Sequence, residues 1–540
     1  MKQFYRLFQA QKQNLLRVSL FCTLLLVVAA CDSREELPSM IITLVVDGQQ
    51  RAIAEDMPIT VGEILRQEEI LLGPLDEVNP PQFSQIADGM RITVARVSEE
   101  SSCEEVEVPY QSRTIPNEAL APGETRLAQP GRGGTEQVCY RITIRDGVRG
   151  EPVLISRVPM SEPQEEIIYV GPSGELDPVP ITGTLAYISS GNVWAMRNTS
   201  TSKRALTNTN DVDGRVLSLS DDGRSLIFTR QSNRNDANIF NQLWLLPDTT
   251  LTLDPIALMP ENVLAADWVP GLENTVSYST GEVTDVAPGW RANNDLFIMS
   301  IDPQSGTPLQ VQPLVPPSSF GLYNWWGTNF QWSPDGTALA WVRADSIGLV
   351  DLNTGDFQTL LSYPVFETRQ SWSWRATVSF SPDQSLILTT VHGAPIGNEP
   401  PQTSPAFHVA VTDVSGSFNA NVAENTGIWS TPQYSPILTN QNGRQVGYMA
   451  YLRARDLSNS INQGAEYDLV VADRDGSNAR VIFPAAGQQA LNSNASITWS
   501  PDGAQIAFIY QGNLWLVDVA SGASHQLTLD GNASQPIWTR

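Results

Sequence analysis

Short apolar segments separated by turn residues recur through the C-terminal part of this 540-residue chain. From residue 183 onward, each repeat contains four such segments and a turn. The last repeat is the clearest, with segments at Ile506–Ile509 and Leu514–Asp518 and a Ser-Gly turn after them. Short apolar segments bounded by turns predict β-strands, and repeats of four strands predict the blades of a β-propeller.

Seven repeats can be counted between residues 183 and 540. We therefore predict a mainly β protein with a propeller of seven blades, or of six or eight because the repeats differ in length. The last segment, Pro536–Trp538, is predicted to complete the first blade and close the ring, which removes exposed strand edges. The turn SPDG at Ser333–Gly336 and Ser500–Gly503, with the strands around it, resembles the repeat of TolB-like, WD-related propellers.

Residues 40–98 have a different pattern, which predicts a small mixed domain. Ile41–Val46 is rich in β-branched residues and leads into Asp47–Gly48, a strong hairpin turn. The capping box Thr60–Glu63 predicts a helix that begins at Thr60. A further strand is predicted over Met90–Val97. Hairpin, helix and returning strand together predict a ubiquitin-like β-grasp domain.

Both N-terminal segments resemble domains of bacterial surface proteins. The motifs VDG, TVGEIL, LGPLDEVNP and DGMRITVARV resemble the small domain of YabE-like and resuscitation-promoting-factor proteins.

Residues 103–171 contain EVEVPYQSRTIPNEALAPGETRLAQPGRGG, YRITIRDG and EEIIYVGPSG, and they resemble the glycine-five (G5) domain. That resemblance implies long thin sheets, a cell-wall setting and binding to N-acetylglucosamine, which has been proposed for the family. Residues 172–182 are predicted to be a linker. The five glycines, expected to serve turns with positive φ, are Gly123, Gly131, Gly134, Gly147 and Gly171.

The first thirty residues have the pattern of an export signal. Four basic residues are their only charges, and the apolar segment Val18–Ala30 is too short to span a bilayer. Val28–Cys31 resembles the lipobox of bacterial lipoproteins, which implies cleavage before Cys31 and attachment of a diacylglyceryl group to its sulfur. Residues 1–30 are thus expected to be removed and residues 31–39 to form a tether. We expect anchoring on the outer face of the cytoplasmic membrane, at the cell surface or in the periplasm. The alternative is an ordinary signal peptide with a cysteine there by chance.

Charge excludes one class of partner. Removing residues 1–30 leaves 29 of the 33 Lys and Arg residues against 58 Asp and Glu, a net charge of −29. Such a chain repels the phosphates of nucleic acids, so we expect no DNA or RNA binding.

Two of the four cysteines remain after Cys22 leaves with the signal and Cys31 takes the lipid. In an exported protein, Cys103 and Cys139 are expected to form a disulfide, with two free thiols or a reactive pair as the alternatives.

No catalytic motif is found in the sequence, so we expect neither an enzyme nor a cofactor. The three histidines, at positions 392, 408 and 525, lack zinc-site spacing, and there is no Gly-x-Ser-x-Gly. Asp211–Gly214 resembles half of a calcium loop, but Ser220 stands where the loop needs Glu, so a turn is predicted. The alternative is an envelope enzyme acting on polysaccharide, with paired carboxylates in the propeller channel.

The aromatic residues of the repeats fall into two groups. Six precede the turn in one register and are predicted to pack between blades: Trp268, Trp332, Phe380, Tyr434, Trp499 and Trp538. Others stand out of register in long connections, interspersed with arginines. Exposed indoles and guanidinium groups are typical anchors for partners, and flat rings suit sugar faces. The candidate binding residues are Trp290, Arg291, Tyr323, Trp325, Trp326, Arg369, Trp372, Trp374 and Arg375.

These residues predict a binding protein of the cell envelope. Its partner is expected to be a peptidoglycan-type glycan or an envelope protein, and a scaffold subunit of an envelope complex is a further alternative. A purely structural role, in which the rings pack the long connections onto the propeller, also accounts for the pattern.

Overall fold

The computed structural model describes residues 39–117, 120, 123–171, 174, 176–232, 238–439, 445–462, 464–493 and 495–539. Cys31 and the predicted signal lie outside the described residues. The described part is nearly all β and divides into two compact units. One contains the chain up to Pro109 together with Gly133–Pro163, and the other contains Tyr110–Arg132 and the chain from Gln164 onward. No helix among the described residues is both long and apolar enough to cross a membrane.

The first unit begins with a β-grasp sheet of four strands in the order β2-β1-β4-β3. Strand β1 pairs antiparallel with β2 and parallel with β4. Ile42 and Leu44 on β1 pack against Ile64 of the helix. The capping box is confirmed, because the Thr60 hydroxyl accepts from the Glu63 amide and the Glu63 carboxylate accepts from the Thr60 amide. The elements are β1 (Met40–Val46), β2 (Gln49–Glu55), α1 (Val61–Gln67), β3 (Glu77–Asn79) and β4 (Arg91–Ala95).

Seven strands follow and form two sheets. One has the order β10-β8-β5, with β9 paired to β8, and the other has the order β6-β11-β7. Cys103 and Cys139 lie directly opposite each other on β5 and β8 and are joined by a disulfide. The strands are β5 (Val97–Val108), β6 (Ser112–Pro116), β7 (Thr125–Gln129), β8 (Gly134–Arg145), β9 (Val148–Arg149), β10 (Val153–Ser161) and β11 (Glu166–Val170).

The predicted strand over Met90–Val97 is interrupted at Arg96, which ties the parts of the first unit together. Its guanidinium contacts the carboxylates of Asp47 at 2.7 Å and Asp76 at 2.8 Å. Its backbone amide donates to the side chain of Asp146. Hydrogen bonds from the amides of Gly73 and Val97, with the Arg96 contact, lower the pKa of Asp76 to about 2.

Two of the five G5 glycines serve a purpose other than a turn. Gly123 and Gly147 have positive φ, as expected. Gly131 and Gly134 are different, because a Cβ would lie 2.2 Å from the Tyr110 ring and 2.4 Å from the Ser161 carbonyl oxygen, respectively. The expectation of positive φ was therefore wrong for these two, where close approach excludes any side chain, and it was also wrong for Gly171, which is not among the glycines with positive φ.

The C-terminal part is a β-propeller, built from seven sheets of three to five strands within the described residues. A small two-stranded sheet, β32-β33, is added. The first three sheets contain β12 (Pro180–Ser189), β13 (Asn192–Ala205), β14 (Val212–Leu219), β15 (Leu226–Gln231), β16 (Asn241–Leu246), β17 (Ile256–Glu261), β18 (Val263–Trp268), β19 (Thr275–Val283), β20 (Trp290–Ala292), β21 (Leu296–Ile301) and β22 (Pro308–Val315).

The later sheets continue in the same way, and two 3-10 helices, Asn324–Trp326 and Pro401–Thr403, lie in connections. The remaining strands are β23 (Asn329–Trp332), β24 (Leu339–Val342), β25 (Ser346–Val350), β26 (Phe357–Ser362), β27 (Val378–Phe380), β28 (Leu386–His392), β29 (Phe407–Asp413), β30 (Asn419–Ala423), β31 (Gln433–Tyr434), β32 (Leu438–Thr439), β33 (Gln445–Val446), β34 (Tyr448–Ala454), β35 (Tyr467–Asp473), β36 (Arg480–Phe483), β37 (Ile497–Trp499), β38 (Gln505–Tyr510), β39 (Asn513–Asp518), β40 (Ser524–Gln526) and β41 (Ala533–Thr539).

The last strand completes the first sheet, as predicted. Strand β41 pairs antiparallel with β12, with Trp538 opposite Leu185. Innermost strands of neighbouring sheets contact one another, as β14 does with β18 and β41, β37 with β41 and β27 with β31, so these strands surround the axis. Within each sheet, the innermost strand lies next to this axis and the other strands follow outward.

The in-register aromatic residues pack between sheets. All six are buried. Trp332 on β23 donates its indole N–H to the Ser277 hydroxyl of the preceding sheet at 2.9 Å, and Trp268 donates to the Ser218 carbonyl at 3.2 Å. The prediction that these residues pack between blades is therefore confirmed for both.

Antiparallel pairing places the connections of the propeller at two faces. Crossings from an outermost strand to the next innermost strand lie at the same end as the links between second and third strands. We call this end the crossing face. The SPDG turns lie at the opposite end, which we call the turn face.

The SPDG turn holds adjacent sheets in contact. Gly336 has a φ of +72°, and a Cβ there would lie 2.1 Å from the Pro270 carbonyl oxygen of the preceding sheet.

We expect Gly336→Ala to lower the free energy of unfolding by more than about 2 kcal/mol, because left-handed strain adds to this clash. Gly522→Ala is the matched control, with a φ of +73° and open space around it. Gly522→Ala should lower the free energy of unfolding, measured by chemical denaturation, by only about 1 kcal/mol. Equal losses for the two variants would contradict the clash.

Candidate functional site

Three connections of the propeller converge on the crossing face. The link between β19 and β21 is extended by β20, whose Trp290 lies opposite Val283. The crossing from β22 to β23 contains the 3-10 helix Asn324–Trp326. The third connection is the crossing from β26 to β27. Residues far apart in the sequence are thereby brought to one surface.

Seven of the nine candidate binding residues lie on this surface. The Trp290 and Trp326 rings meet edge to face at 6.3 Å, and the Arg291 guanidinium lies 5.8 Å from the Trp325 ring. Trp372 packs on Trp429 at 5.3 Å. We call these seven residues the aromatic surface: Trp290, Arg291, Tyr323, Trp325, Trp326, Arg369 and Trp372.

Two pockets open on either side of the 3-10 helix. One, of about 200 Å³, is lined by Tyr323, Trp326, Arg369 and Trp372 together with neighbouring polar residues. The other, of about 420 Å³, is lined by Arg291, Trp325 and the polar connection around them. Aromatic walls with a few polar groups are typical of ligand sites.

Asn294 holds the aromatic surface from below. It is 1% exposed and has a φ of +54°. Its Nδ2 donates to the carbonyl oxygens of Ser318 at 3.1 Å and Asn324 at 2.9 Å, and its Oδ1 accepts from the Thr328 hydroxyl at 3.0 Å. One buried amide therefore ties the β20 region to both ends of the crossing that bears Trp325 and Trp326.

The next residue, Asp295, is also buried. Its carboxylate accepts from the Thr280 amide at 2.7 Å and from the Thr280 hydroxyl at 2.5 Å. Burial raises its pKa despite these hydrogen bonds. The connection between β20 and β21 is thus fixed to β19 by buried polar groups.

Trp374 is buried and Arg375 is half-buried with its guanidinium bound to backbone carbonyl groups, which corrects the sequence analysis. Trp374 is 4% exposed and donates its indole N–H to the Ile428 carbonyl oxygen at 3.2 Å. The Arg375 guanidinium donates to the carbonyl oxygens of Trp326 and Gly327, and burial lowers its pKa to about 10. Both were misassigned because the crossing turns inward just before β27, which the sequence pattern does not reveal. Arg375 instead holds the end of the 3-10 helix in place.

The sequence analysis predicted a turn for the half calcium loop. The segment instead forms a bulge within strand β14. Pairing with β15 shifts between Val212 and Leu217. Asp211 is engaged by Arg230 at 2.7 Å. No group of three His, Cys, Asp or Glu among the described residues is placed to hold a metal ion.

Arg215, within this bulge, was missed by the sequence analysis together with Phe240. The guanidinium carbon of Arg215 lies 5.2 Å from the Phe240 ring and 5.1 Å from the Trp290 ring. The only sequence signal was an arginine after a turn-forming Asp-Gly, which is common on protein surfaces.

A larger cavity, of about 590 Å³, lies between the sheet of β6, β7 and β11 and the first propeller sheet. Several polar groups lining it are already hydrogen-bonded, although the Ser190 hydroxyl is buried without a partner among the described residues. Asp530 accepts from Ser189, and Asn210 accepts from Tyr169 at 2.7 Å. We interpret this cavity as a structural joint and not as the site.

Comparison with protein-family models assigns three parts of the chain. Residues 99–173 match the G5 domain, and residues 42–82 match the G5-linked ubiquitin-like domain. Residues 451–537 match the dipeptidyl peptidase IV (DPP IV) N-terminal region. The resemblances predicted for the two N-terminal segments are therefore confirmed. A search of curated proteins finds no match to the chain.

Solved structures are similar to parts of the chain. HP0197-G5 is 24% identical and covers 14% of this chain and 99% of its own, with a TM-score of 0.14. TolB from Agrobacterium tumefaciens is 15% identical and covers 61% and 96%, with a TM-score of 0.34. An oligogalacturonate lyase in complex with manganese is 13% identical and covers 57% and 88%, with a TM-score of 0.33.

Removal of the Asn294 side chain should loosen the aromatic surface. We expect Asn294→Gly, which keeps the positive φ accessible, to lower the free energy of unfolding by about 1–3 kcal/mol, because buried carbonyl groups lose their donor. The matched control is Asn274→Gly at a φ of +47°, where the side chain has no hydrogen-bond partner among the described residues. Chemical denaturation followed by tryptophan fluorescence measures both. A loss for the control as large as for Asn294→Gly would contradict the proposed role.

Proposed function

We propose that this protein is a lipid-anchored binding protein of the bacterial cell envelope. In this proposal, the aromatic surface of its propeller binds a wall-type glycan or an envelope protein. The observation that carries the proposal is the convergence of four solvent-accessible aromatic side chains and two arginines around two adjacent pockets. The presence of a G5 domain supports an envelope setting.

The chemistry of the surface supports a glycan in particular. Indole and phenol rings offer flat apolar faces that cover the C–H face of a sugar, and they lose little conformational entropy on binding. The neighbouring arginine and asparagine side chains supply hydrogen bonds to hydroxyl or carboxylate groups. The polar groups beneath the rings hold them in position before a ligand arrives, and such preorganisation reduces the entropic cost of binding.

The proposed role is binding without catalysis. Glu282 is paired with Arg291 at 2.5 Å, whereas Glu367 lines the smaller pocket. A glycosidase would need two carboxylates facing one bond. A scaffold subunit uses the same surface with a protein partner, so the binding experiment distinguishes it by which partner is retained.

The anchor is proposed from the sequence. The lipobox ends at Cys31, only nine residues before the first strand at Met40. Several acyl chains make such an anchor durable, whereas one chain binds membranes only marginally.

Loss of the rings should abolish binding. We expect full-length protein in detergent to be retained by purified wall sacculi or by an immobilised envelope extract. The variant Trp325→Ala/Trp326→Ala should lose at least about tenfold in affinity, because central aromatic anchors carry most of the energy of an interface. Phe418→Ala is the matched control, since Phe418 is exposed on the opposite, turn face. Retention by neither material, or full binding by the double variant, would refute the proposal.

The anchor has its own test. We expect Cys31→Ser to release the protein from the membrane fraction and to end incorporation of labelled palmitate, because the thiolate acceptor of the lipid is gone. Cys22→Ser, within the predicted signal, should leave both unchanged. Membrane retention and labelling of Cys31→Ser equal to wild type would show that Cys31 is not the attachment site.

A further inference from the structure

Arg215 occupies an unusual position on β14, the innermost strand of its sheet. Gly214 has a φ of +70°, and the bulge around it shifts the pairing between β14 and β15. The guanidinium of Arg215 is brought between two aromatic rings, with its carbon 5.2 Å from the Phe240 centroid and 5.1 Å from the Trp290 centroid. Because β14 adjoins the axis, Arg215 stands near the channel, toward the crossing face.

The nearest carboxylate does not neutralise this guanidinium. Asp213 accepts hydrogen bonds from the Asn241 amide group at 2.9 Å, from the Thr229 hydroxyl and from the backbone amide of Arg215 at 2.9 Å. Within the described ranges, no carboxylate oxygen lies within 4.0 Å of a guanidinium nitrogen of Arg215. This is unexpected in a chain with 58 acidic and 33 basic residues.

Three other arginines of this region are already engaged, whereas the exposed Arg369 lines the smaller pocket. Arg291 pairs with Glu282, Arg230 pairs with Asp211, and Arg375 donates to two carbonyl groups. Arg215 differs because its guanidinium lies against two rings, is accessible to solvent and has no ion pair among the described residues. Surrounding protein atoms desolvate it and lower its pKa, an effect that the charge of Asp213 opposes. A partly desolvated cation that has no ion pair among the described residues gains more from an incoming anion than a hydrated surface cation does.

Arg215 also adjoins the aromatic surface. Trp290 contacts Arg215 on one side and Trp326 on the other, at 6.3 Å, and Trp326 lines the 200 Å³ pocket. A ligand lying on these rings therefore passes within reach of the guanidinium. The planar fork of an arginine matches a carboxylate with two parallel hydrogen bonds.

We propose that Arg215 binds the carboxylate of an acidic saccharide whose sugar rings lie on Trp290 and Trp326. This inference rests on the proposed function and makes it more specific, because it assigns the ligand a negative charge. It also assigns a role to the Asp-Gly bulge, which orients the arginine and keeps Asp213 occupied elsewhere.

A matched pair of sugars tests the inference by titration calorimetry on the full-length protein in detergent. One probe is a hexasaccharide of alternating glucuronate and N-acetylglucosamine, and the other is the same hexasaccharide after reduction of its carboxyl groups. We expect the wild type to bind the acidic form at least about tenfold more tightly, as a charge-assisted bidentate contact provides. Arg215→Gln should remove this preference, and Arg215→Lys should restore part of it.

Controls separate this inference from the proposed function. Arg224→Gln, on the turn face and paired with Asp248 at 2.8 Å, should keep the preference, and Trp325→Ala/Trp326→Ala should weaken both forms alike. Thermal unfolding of Arg215→Gln verifies its fold. Equal binding of the two sugars by the wild type, binding of neither, or an unchanged preference in Arg215→Gln would overturn the inference. Ring-dependent retention on sacculi would in each case leave the proposed function standing.

Discussion

The pairing of the last strand with the first strand of the propeller is the contact on which the rest of this structure depends. Each sheet of the ring buries its apolar faces only against its neighbours, so a missing contact would expose two faces and two edges. Strand β41 prevents this by lying against β12, with Trp538 opposite Leu185. Trp538 also donates its indole N–H to the carbonyl oxygen of Thr182. The ends of the propeller are thus fixed together across more than three hundred residues.

Ring closure also determines where function can reside. Because the strands alternate in direction, the connections carrying Trp290, Trp325 and Trp372 must emerge at the same face, although they belong to different sheets. Buried polar groups then hold these neighbouring connections in a fixed arrangement. Asn294 binds two connections from beneath, and Arg375 holds the end of the 3-10 helix. A surface built in this way is held rigidly by the scaffold, which favours selective binding.

The charged side chains of this protein follow a common pattern. Most acidic groups of the propeller accept hydrogen bonds within turns, as Asp335 does from the Thr337 amide, and these contacts lower its pKa to about 2. Several arginines are neutralised by neighbouring carboxylates. The groups left over are therefore informative, and the accessible guanidinium of Arg215 among aromatic rings is the clearest of them. The first unit follows the same pattern, since Arg96 is held by Asp47 and Asp76.

The sequence by itself determined the strands, the closing segment, the capped helix at Thr60 and the two N-terminal domain types, because these depend on local periodicity, turn chemistry and short motifs. It also identified most of the aromatic surface, since aromatic residues out of register with the repeat stand in the connections and not in the strands of the repeat. Only the tertiary structure decided that Trp374 and Arg375 face inward, that Gly131 and Gly134 make room for neighbouring groups, and that Arg215 lies between Phe240 and Trp290. Each of these depends on the path of a connection or the depth of a bulge, and therefore on contacts between residues distant in sequence, which no local pattern encodes.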